Sequence, residues 1–250
     1  SLDSNLPVSK IEDHKIVSVP YVDKGNRTFS TRNTIALKTW DKSASIFYTL
    51  DGSNVNNQST LYTSPFIIDN SCTLKAICFK NGEYSKEISA MFTKTPSGRS
   101  IELNTQYGSQ YAAGGDGALI DFLRGPKNYM TGSWQGYEGV NLDAVIDLGK
   151  RMHINKLSTG FLQDWNAWIF MPEWVDYYAS NDGDNFYKIG RVSNIINEKD
   201  PEVLVQDLTL KCNTKARYIK VIAKNRKVNP EWHRAPGGTC WIFADEISIN

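Results

Sequence analysis

Three short stretches combine aromatic rings with hydrogen-bonding side chains densely enough to hold a small polar ligand. "GSWQGYEG" (132–139) carries Trp134, Gln135 and Tyr137. "QDWNAW" (163–168) carries Asp164, Trp165, Asn166 and Trp168. "KNRKVNPEWHRAPGG" (224–238) carries Arg226, Asn229, Trp232, His233 and Arg234. Small-ligand sites pair an apolar lining with a few directed polar groups. A sugar ring is met in this way, its C–H face on an aromatic plate and its hydroxyls on amide, carboxylate or guanidinium groups. Not every ring qualifies. The continuous apolar run "WIFMPEWV" (168–175) assigns Trp168, Phe170 and Trp174 to a core, and "CWIF" (240–243) does the same for Trp241. Trp165, between Asp164 and Asn166, and Trp232, ahead of His233 and Arg234, keep the polar company of a surface.

A second constellation is the adjacent pair Asp245-Glu246. The pair resembles the adjacent Asp-Glu of family 20 β-hexosaminidases, a resemblance that implies the Glu as general acid and the Asp orienting the substrate's acetamide. Here they sit in "WIFADEISI" (241–249), which reads as a strand, and strand neighbours point to opposite faces. Catalysis is therefore not the reading taken. Of the three histidines only His233 has polar and aromatic neighbours of interest, so a Ser/His/Asp arrangement has little support. Cys72 and Cys78 are too far apart along one strand-like run to bridge. Cys212 and Cys240 could meet in space, but no Cys/His spacing suggests zinc; free, mostly buried thiols are expected.

The 28 basic and 27 acidic residues nearly cancel. That argues against nucleic acid or an anionic membrane as the main partner, since phosphate neutralisation needs a net basic face. "KARYIKVIAKNRK" (215–227) reads instead as a strand with solvated charges. No apolar run approaches the roughly 20 residues of a membrane-spanning helix. The opening "SLDSNLPVSKIEDH" has no secretory leader and reads as a mature or excised segment.

These residues must be positioned by short strands. "TIALKTW" (34–40), "ASIFYTL" (44–50), "TLKAICF" (73–79), "LDAVIDLG" (142–149), "EWVDYYAS" (173–180), "RYIKVIA" (217–223) and "IFADEISI" (242–249) are strand-like, and no long segment has a helical apolar period. Asp51-Gly52, Asn81-Gly82 and Asp182-Gly183 read as hairpin turns, because these pairs tolerate positive φ. A short helical turn is expected near "GALIDFLRG" (117–125). The composition changes at "TKTPSGRS" (93–100), which predicts residues 1–12 as a linker or remnant, a first domain over 13–95, a linker at 96–99 and a second domain over 100–250. The fold class expected is all-β, with two sandwiches.

In the first block, "YTLDGS" (48–53), "STLYTSPFII" (59–68) and "TLKAICFKNG" (73–82) follow one another in an order that resembles the immunoglobulin-like domain found after the catalytic barrel of chitobiases and β-hexosaminidases. That resemblance implies a β-sandwich acting as spacer or packing module. The second block opens "YAAGGDGALIDFLRGPKNYMTGSWQGYEGVNLDAVIDLG" (111–149), passes through "ASNDGDNFYKIG" (179–190) and ends "WHRAPGGTCWIFADEISI" (232–249). Together these resemble the discoidin, or coagulation factor V/VIII type C, domain, whose sugar-binding members are the family 32 carbohydrate-binding modules. "GSWQGY", "TGFLQD" and "WIFADEI" are similar to the C-terminal module of bacterial family 20 β-hexosaminidases of the Bacteroidetes type.

The resemblance implies a jelly roll that binds glycans through loops at one end. Residues Trp134, Tyr137, Asp164, Trp165, Asn166, Arg226, Asn229, Trp232, His233 and Arg234 are the candidate contacts. It also implies a structural calcium (Ca2+), with the Ala118 carbonyl, the Asp121 carboxylate and Glu246 at matching positions, as suits an ion that takes six to eight hard oxygens. The loop after Asp121 is longer than the family's, which leaves the other ligands open. The expected partners are a glycan containing galactose, N-acetylgalactosamine or N-acetylglucosamine, and the parent enzyme's catalytic domain; the expected location is secreted, periplasmic or outer-surface. The alternative is a structural module that packs on the catalytic barrel without a sugar site of its own.

Overall fold

The computed structural model describes residues 16–250; the expected linker at 1–12 lies outside the described residues. Contacts divide the chain into two units, one ending at Lys94 and one beginning at Thr95. The first unit contains β1 (Tyr21–Lys24), β2 (Thr28–Phe29), β3 (Asn33–Lys38), β4 (Ser45–Thr49), β5 (Thr60–Leu61), β6 (Phe66–Ile68), β7 (Cys72–Lys80), β8 (Glu83–Tyr84) and β9 (Ile88–Lys94). They form a three-stranded sheet β1-β3-β6 and a second sheet β2-β9-β7-β4-β5, with β8 paired to β7. Alternation sends Ile35 and Leu37 of one sheet, and Leu74, Ala76, Cys78 and Phe92 of the other, into a shared core. This is the sandwich that the alternating strands predict.

The second unit contains β10 (Ser100–Leu103), β11 (Gln135–Glu138), β12 (Leu142–Gln163), β13 (Trp174–Ser180), β14 (Tyr187–Ser193), β15 (Leu204–Ala223) and β16 (Trp241–Ile249). Its layout depends on β12 and β15, which pair antiparallel along nearly their whole length and change register between Asp147 and Met152. Before that break β12 lies between β10 and β15. After it, β12 lies between β16 and β15. One long pair thus contributes to both layers of the sandwich, with β13 and β14 extending the first layer and β11 the second. Between the layers lie Leu142, Ile146, Ile154, Leu157, Phe161, Val175, Tyr177, Ile219, Val221 and Ile247.

The long strands correct the expected boundaries. "LDAVIDLG" and "RYIKVIA" are parts of elements of 22 and 20 residues. Gly149, at φ 77°, does not end its strand; it absorbs the register change inside it. Of the three expected tight hairpins one closes as such: Asn81 (φ 52°) and Gly82 (φ 87°) link Lys80 directly to its partner Glu83. Asp51-Gly52 instead begins a longer loop between β4 and β5. Asp182 organises the β13–β14 loop by accepting from the Asp184 and Asn185 amides. The turn near 117–125 is a 3-10 turn at Asp116–Ile120. All four cysteines are free.

A second cluster of the same unit gathers Trp134, Leu162, Ile169 and Phe243. Gly136 of β11 crosses it so closely that a Cβ there would lie 2.6 Å from Phe243 and 3.0 Å from Tyr111. Gly136→Ala is therefore expected to lower stability by about 2 kcal/mol through overpacking, measured by denaturant unfolding; an unchanged midpoint would show that the cluster yields.

Candidate functional site

Three segments converge at one end of the second unit. The first follows β12, where the 3-10 turn Trp165–Ala167 is closed by Trp168 in the left-handed region (φ 66°). The second is the loop 194–203 between β14 and β15, and the third is the loop 224–240 between β15 and β16. Their meeting point is His233, 2% exposed. Its Nδ1 accepts from the Ala235 amide (3.1 Å), so the ring hydrogen sits on Nε2, which donates to the Trp165 carbonyl (2.8 Å). Trp165, Trp168, Phe170 and Trp232 all stand edge-on to this imidazole.

The two half-buried indoles are held by their own N–H groups. Trp165 Nε1 donates to the Asp200 carbonyl at 2.7 Å, and Trp232 Nε1 donates to Glu198 Oε1 at 2.7 Å. Their centroids are 5.6 Å apart in an edge arrangement. Arg226 donates to the other Glu198 oxygen and lies over the Phe170 ring at 4.8 Å. Lys199 sits over Trp232 at 5.4 Å. Burial works to raise the Glu198 carboxyl, but the hydrogen bonds from Trp232 and Arg226 outweigh it and hold the group below the ordinary glutamate range. Arg234 is exposed and donates to the Asn166 carbonyl, joining the first loop to the third.

The sequence candidates therefore separate. Asp164, Trp165, Asn166, Arg226, Trp232 and Arg234 come together at this end with surface to offer. Trp134 (1% exposed) and Tyr137 (0%) do not: both are core residues, and the expectation that they present a ligand-facing plate is corrected. Trp134 Nε1 is bonded to the Pro126 carbonyl, and Tyr137 Oη to the buried Gln135 amide oxygen. Asn229 is likewise buried, with its amide bonded to the Ala235 carbonyl, so Asn229 and His233 brace the third loop from within. Glu198, Lys199 and Asp200 were not singled out by the sequence, because "NEKDPE" (197–202) reads as an ordinary solvated loop.

The oxygen cluster around Asp121 and Glu246 is separate from this end's aromatic site. Glu246 is 3% exposed and accepts from the Phe122 amide (2.8 Å), while Asp121 accepts from the Leu123 amide (2.7 Å). Burial pushes the Glu246 carboxyl up to about 8, with the neighbouring charges of Asp121 and Asp245 adding to the effect. No Lys or Arg among the described residues pairs with Glu246; Arg124 goes instead to Asp245 and Asp207. Asp121 ends the 3-10 turn that carries the buried Ala118, and its charge acts on Glu246. No group of three or more His, Cys, Asp or Glu placed to hold a metal ion occurs among the described residues. Asp245 is buried against Arg124 and the Gly125 amide, so neither member of the Asp245-Glu246 pair opens to a substrate.

A twisted two-layer sandwich with its polar and aromatic loops gathered at one end defines an antiparallel β-sandwich of the discoidin class. The F5/8 type C domain model matches residues 99–236, more than half of the chain, and the chain belongs to that family. The chitobiase/β-hexosaminidase C-terminal domain model matches residues 23–93 in the first unit. Both are non-catalytic accessory domain types. Among solved structures, a putative chitobiase fragment from Bacteroides thetaiotaomicron is 17% identical, covering 62% of this chain and 89% of that one with a TM-score of 0.42. A CBM32 module from Clostridium perfringens in complex with GalNAc-β-1,3-galactose is 21% identical, covering 61% and 94%, with a TM-score of 0.40. The family 32 module of Clostridium perfringens NanJ in complex with galactose is 17% identical, covering 61% and 93%, at 0.39. No curated protein matches the chain.

Proposed function

We propose that the chain is the accessory region of a secreted or surface glycoside hydrolase, a β-N-acetylhexosaminidase by its paired domain types, and that its second unit binds glycans at the Trp165–Trp232 end. One observation carries this reading. Trp165 and Trp232 remain part-exposed while their N–H groups are anchored, so two aromatic surfaces are fixed beside Arg226, Arg234 and Asn166 before any ligand arrives. Such preorganisation reduces the ordering cost of binding. The Asp121–Glu246 cluster, with the Ala118 carbonyl, would hold a structural calcium that neutralises the buried charge and takes no part in ligand contact.

The test is titration with galactose, N-acetylgalactosamine and N-acetylglucosamine in the presence of calcium. Dissociation constants of about millimolar to micromolar are expected, with Trp232→Ala weakening binding at least about ten-fold while the fold is retained. Absence of binding to all three sugars would sink the reading. The second reading is a structural module that packs on the catalytic domain without a sugar site of its own. In that case deleting residues 95–250 lowers the parent enzyme's thermal stability on small substrates; loss confined to large or insoluble glycans supports targeting.

A further inference from the structure

A small cavity of about 110 Å³ lies beside the aromatic cluster, bounded by Gln163, Phe170, Met171, Glu173, Asn194, Glu198 and Arg226. That is room for about three or four waters, too little for a whole pyranose and suited to one substituent. Its chemistry is divided. Phe170 and Met171, 2% and 4% exposed, supply an apolar wall. Gln163 is fully buried; its Nε2 donates to the Asn197 carbonyl, which fixes the amide orientation, and its Oε1 has no hydrogen-bond partner among the described residues. A buried acceptor without a donor costs about 1–3 kcal/mol, and such a group calls for an explanation. Across the cavity stand donors. Asn194 directs its carbonyl oxygen to the Ile196 amide, leaving its NH2 end as the other pole of that side chain. A guanidinium carries five N–H groups, and Arg226 places one on Glu198.

We infer that this cavity is a subsite for the N-acetyl group of a 2-acetamido sugar. The acetamido N–H donates to Gln163 Oε1, its carbonyl accepts from Arg226 or Asn194, and its methyl packs on Phe170 and Met171. A secondary amide with a methyl supplies one donor, one acceptor and one apolar end, the three complements the cavity presents. A hydroxyl in the same place leaves the apolar wall without a partner, and a free ammonium meets Arg226. The anchored Trp232 is bonded to Glu198 on the cavity wall, which ties this cavity to the aromatic cluster.

This inference rests on the proposed glycan binding, and the experiment separates the two. Full-length protein is titrated with N-acetylglucosamine, N-acetylgalactosamine, glucose, galactose, glucosamine and galactosamine, using calorimetry and tryptophan fluorescence. A preference of about ten-fold or more for the N-acetyl sugars over their hydroxyl and amine counterparts is expected, because a site with buried polar groups rejects analogues that leave them unpaired. Asn194→Ala, at a half-buried position, is expected to lower that preference several-fold, and Gln163→Leu to remove it while binding of the parent hexose persists. Equal affinity for acetylated and parent sugars overturns the acetamido assignment and leaves glycan binding standing. No binding to any of the six overturns both. If Gln163→Leu fails to fold, Asn194→Ala and the six-sugar comparison decide the matter alone.

Discussion

Arg124→Ala is expected to destabilise the second unit by about 3 kcal/mol at neutral pH, lowering its melting temperature by about 10 °C. Asp207 pairs with Gly160 across β15 and β12, and Asp245 follows on β16 at the other edge of β12. The Arg124 guanidinium passes over Gly160 and bonds both acids, Nε to Asp245 at 2.8 Å and the two Nη groups to Asp207. It thereby ties three adjacent strands, and Gly160 has no side chain because a Cβ would lie 2.5 Å from Arg124 Nη2 and 2.1 Å from Asp245 Oδ1. The two limbs differ in weight. Asp207 is 41% exposed, so its ion pair contributes little. The Asp245 side chain is wholly buried, and even with Arg124 in place burial raises its pKa above the ordinary aspartate value. Without Arg124 it keeps only the Gly125 amide. The defect is therefore charge left in the interior, and Asp245→Asn on the Arg124→Ala background should recover more than half of the loss. Urea unfolding of the single and double variants reads this directly. A loss below about 1 kcal/mol for the single variant would show that water replaces the guanidinium.

How far this was legible depends on what a residue's chain neighbours reveal. The strand cores were readable, since Ile35 and Leu37, and Leu74 and Ala76 on either side of Lys75, are apolar at a two-residue spacing and the structure buries them together. Asn81-Gly82 was readable because its left-handed conformations are a local requirement. The lengths of β12 and β15 were not. "GKRMHINK" (149–156) has the look of a turn, and only pairing with β15 carries the strand through it. The candidate site divided along the same line. Trp165 and Trp232 announced themselves by polar neighbours. Trp134 and Tyr137 had similar neighbours yet are buried, because Gln135 goes inside with them and bonds Tyr137 and the Gly115 carbonyl. Glu198 and Asp200 carry no aromatic signal and became visible when the loop 194–203 was seen to hold both indoles in place. The unpartnered oxygen of Gln163 has no counterpart in a sequence, since it follows from which contacts the fold leaves unmade.

Calcium should offset the pH dependence of stability, and this is the largest effect expected of the Asp121–Glu246 cluster. In the metal-free protein the folded-state pKa of Glu246 is raised to about 8, above its ordinary value of 4.5. The folded state then holds a proton that the unfolded state releases, so this group's contribution is complete below about pH 4.5 and is lost as pH rises through about 8. Chelated protein should melt several degrees lower at pH 8 than at pH 5, a loss on the order of a few kcal/mol. Asp245 is shifted in the same direction by its own burial. A bound calcium takes the proton's place. At a hundred-fold excess over its dissociation constant it stabilises by about 2.7 kcal/mol, and most at pH 8, where no proton competes for the oxygens. Melting curves in EDTA and in calcium should thus separate at pH 8 and converge toward pH 5. Glu246→Gln keeps an acceptor for the Phe122 amide but removes the charge, so it should flatten most of the slope and abolish the calcium response together. Superimposed curves at pH 8 with and without calcium would remove the ion from this site and leave Glu246 a buried acid that the fold carries protonated.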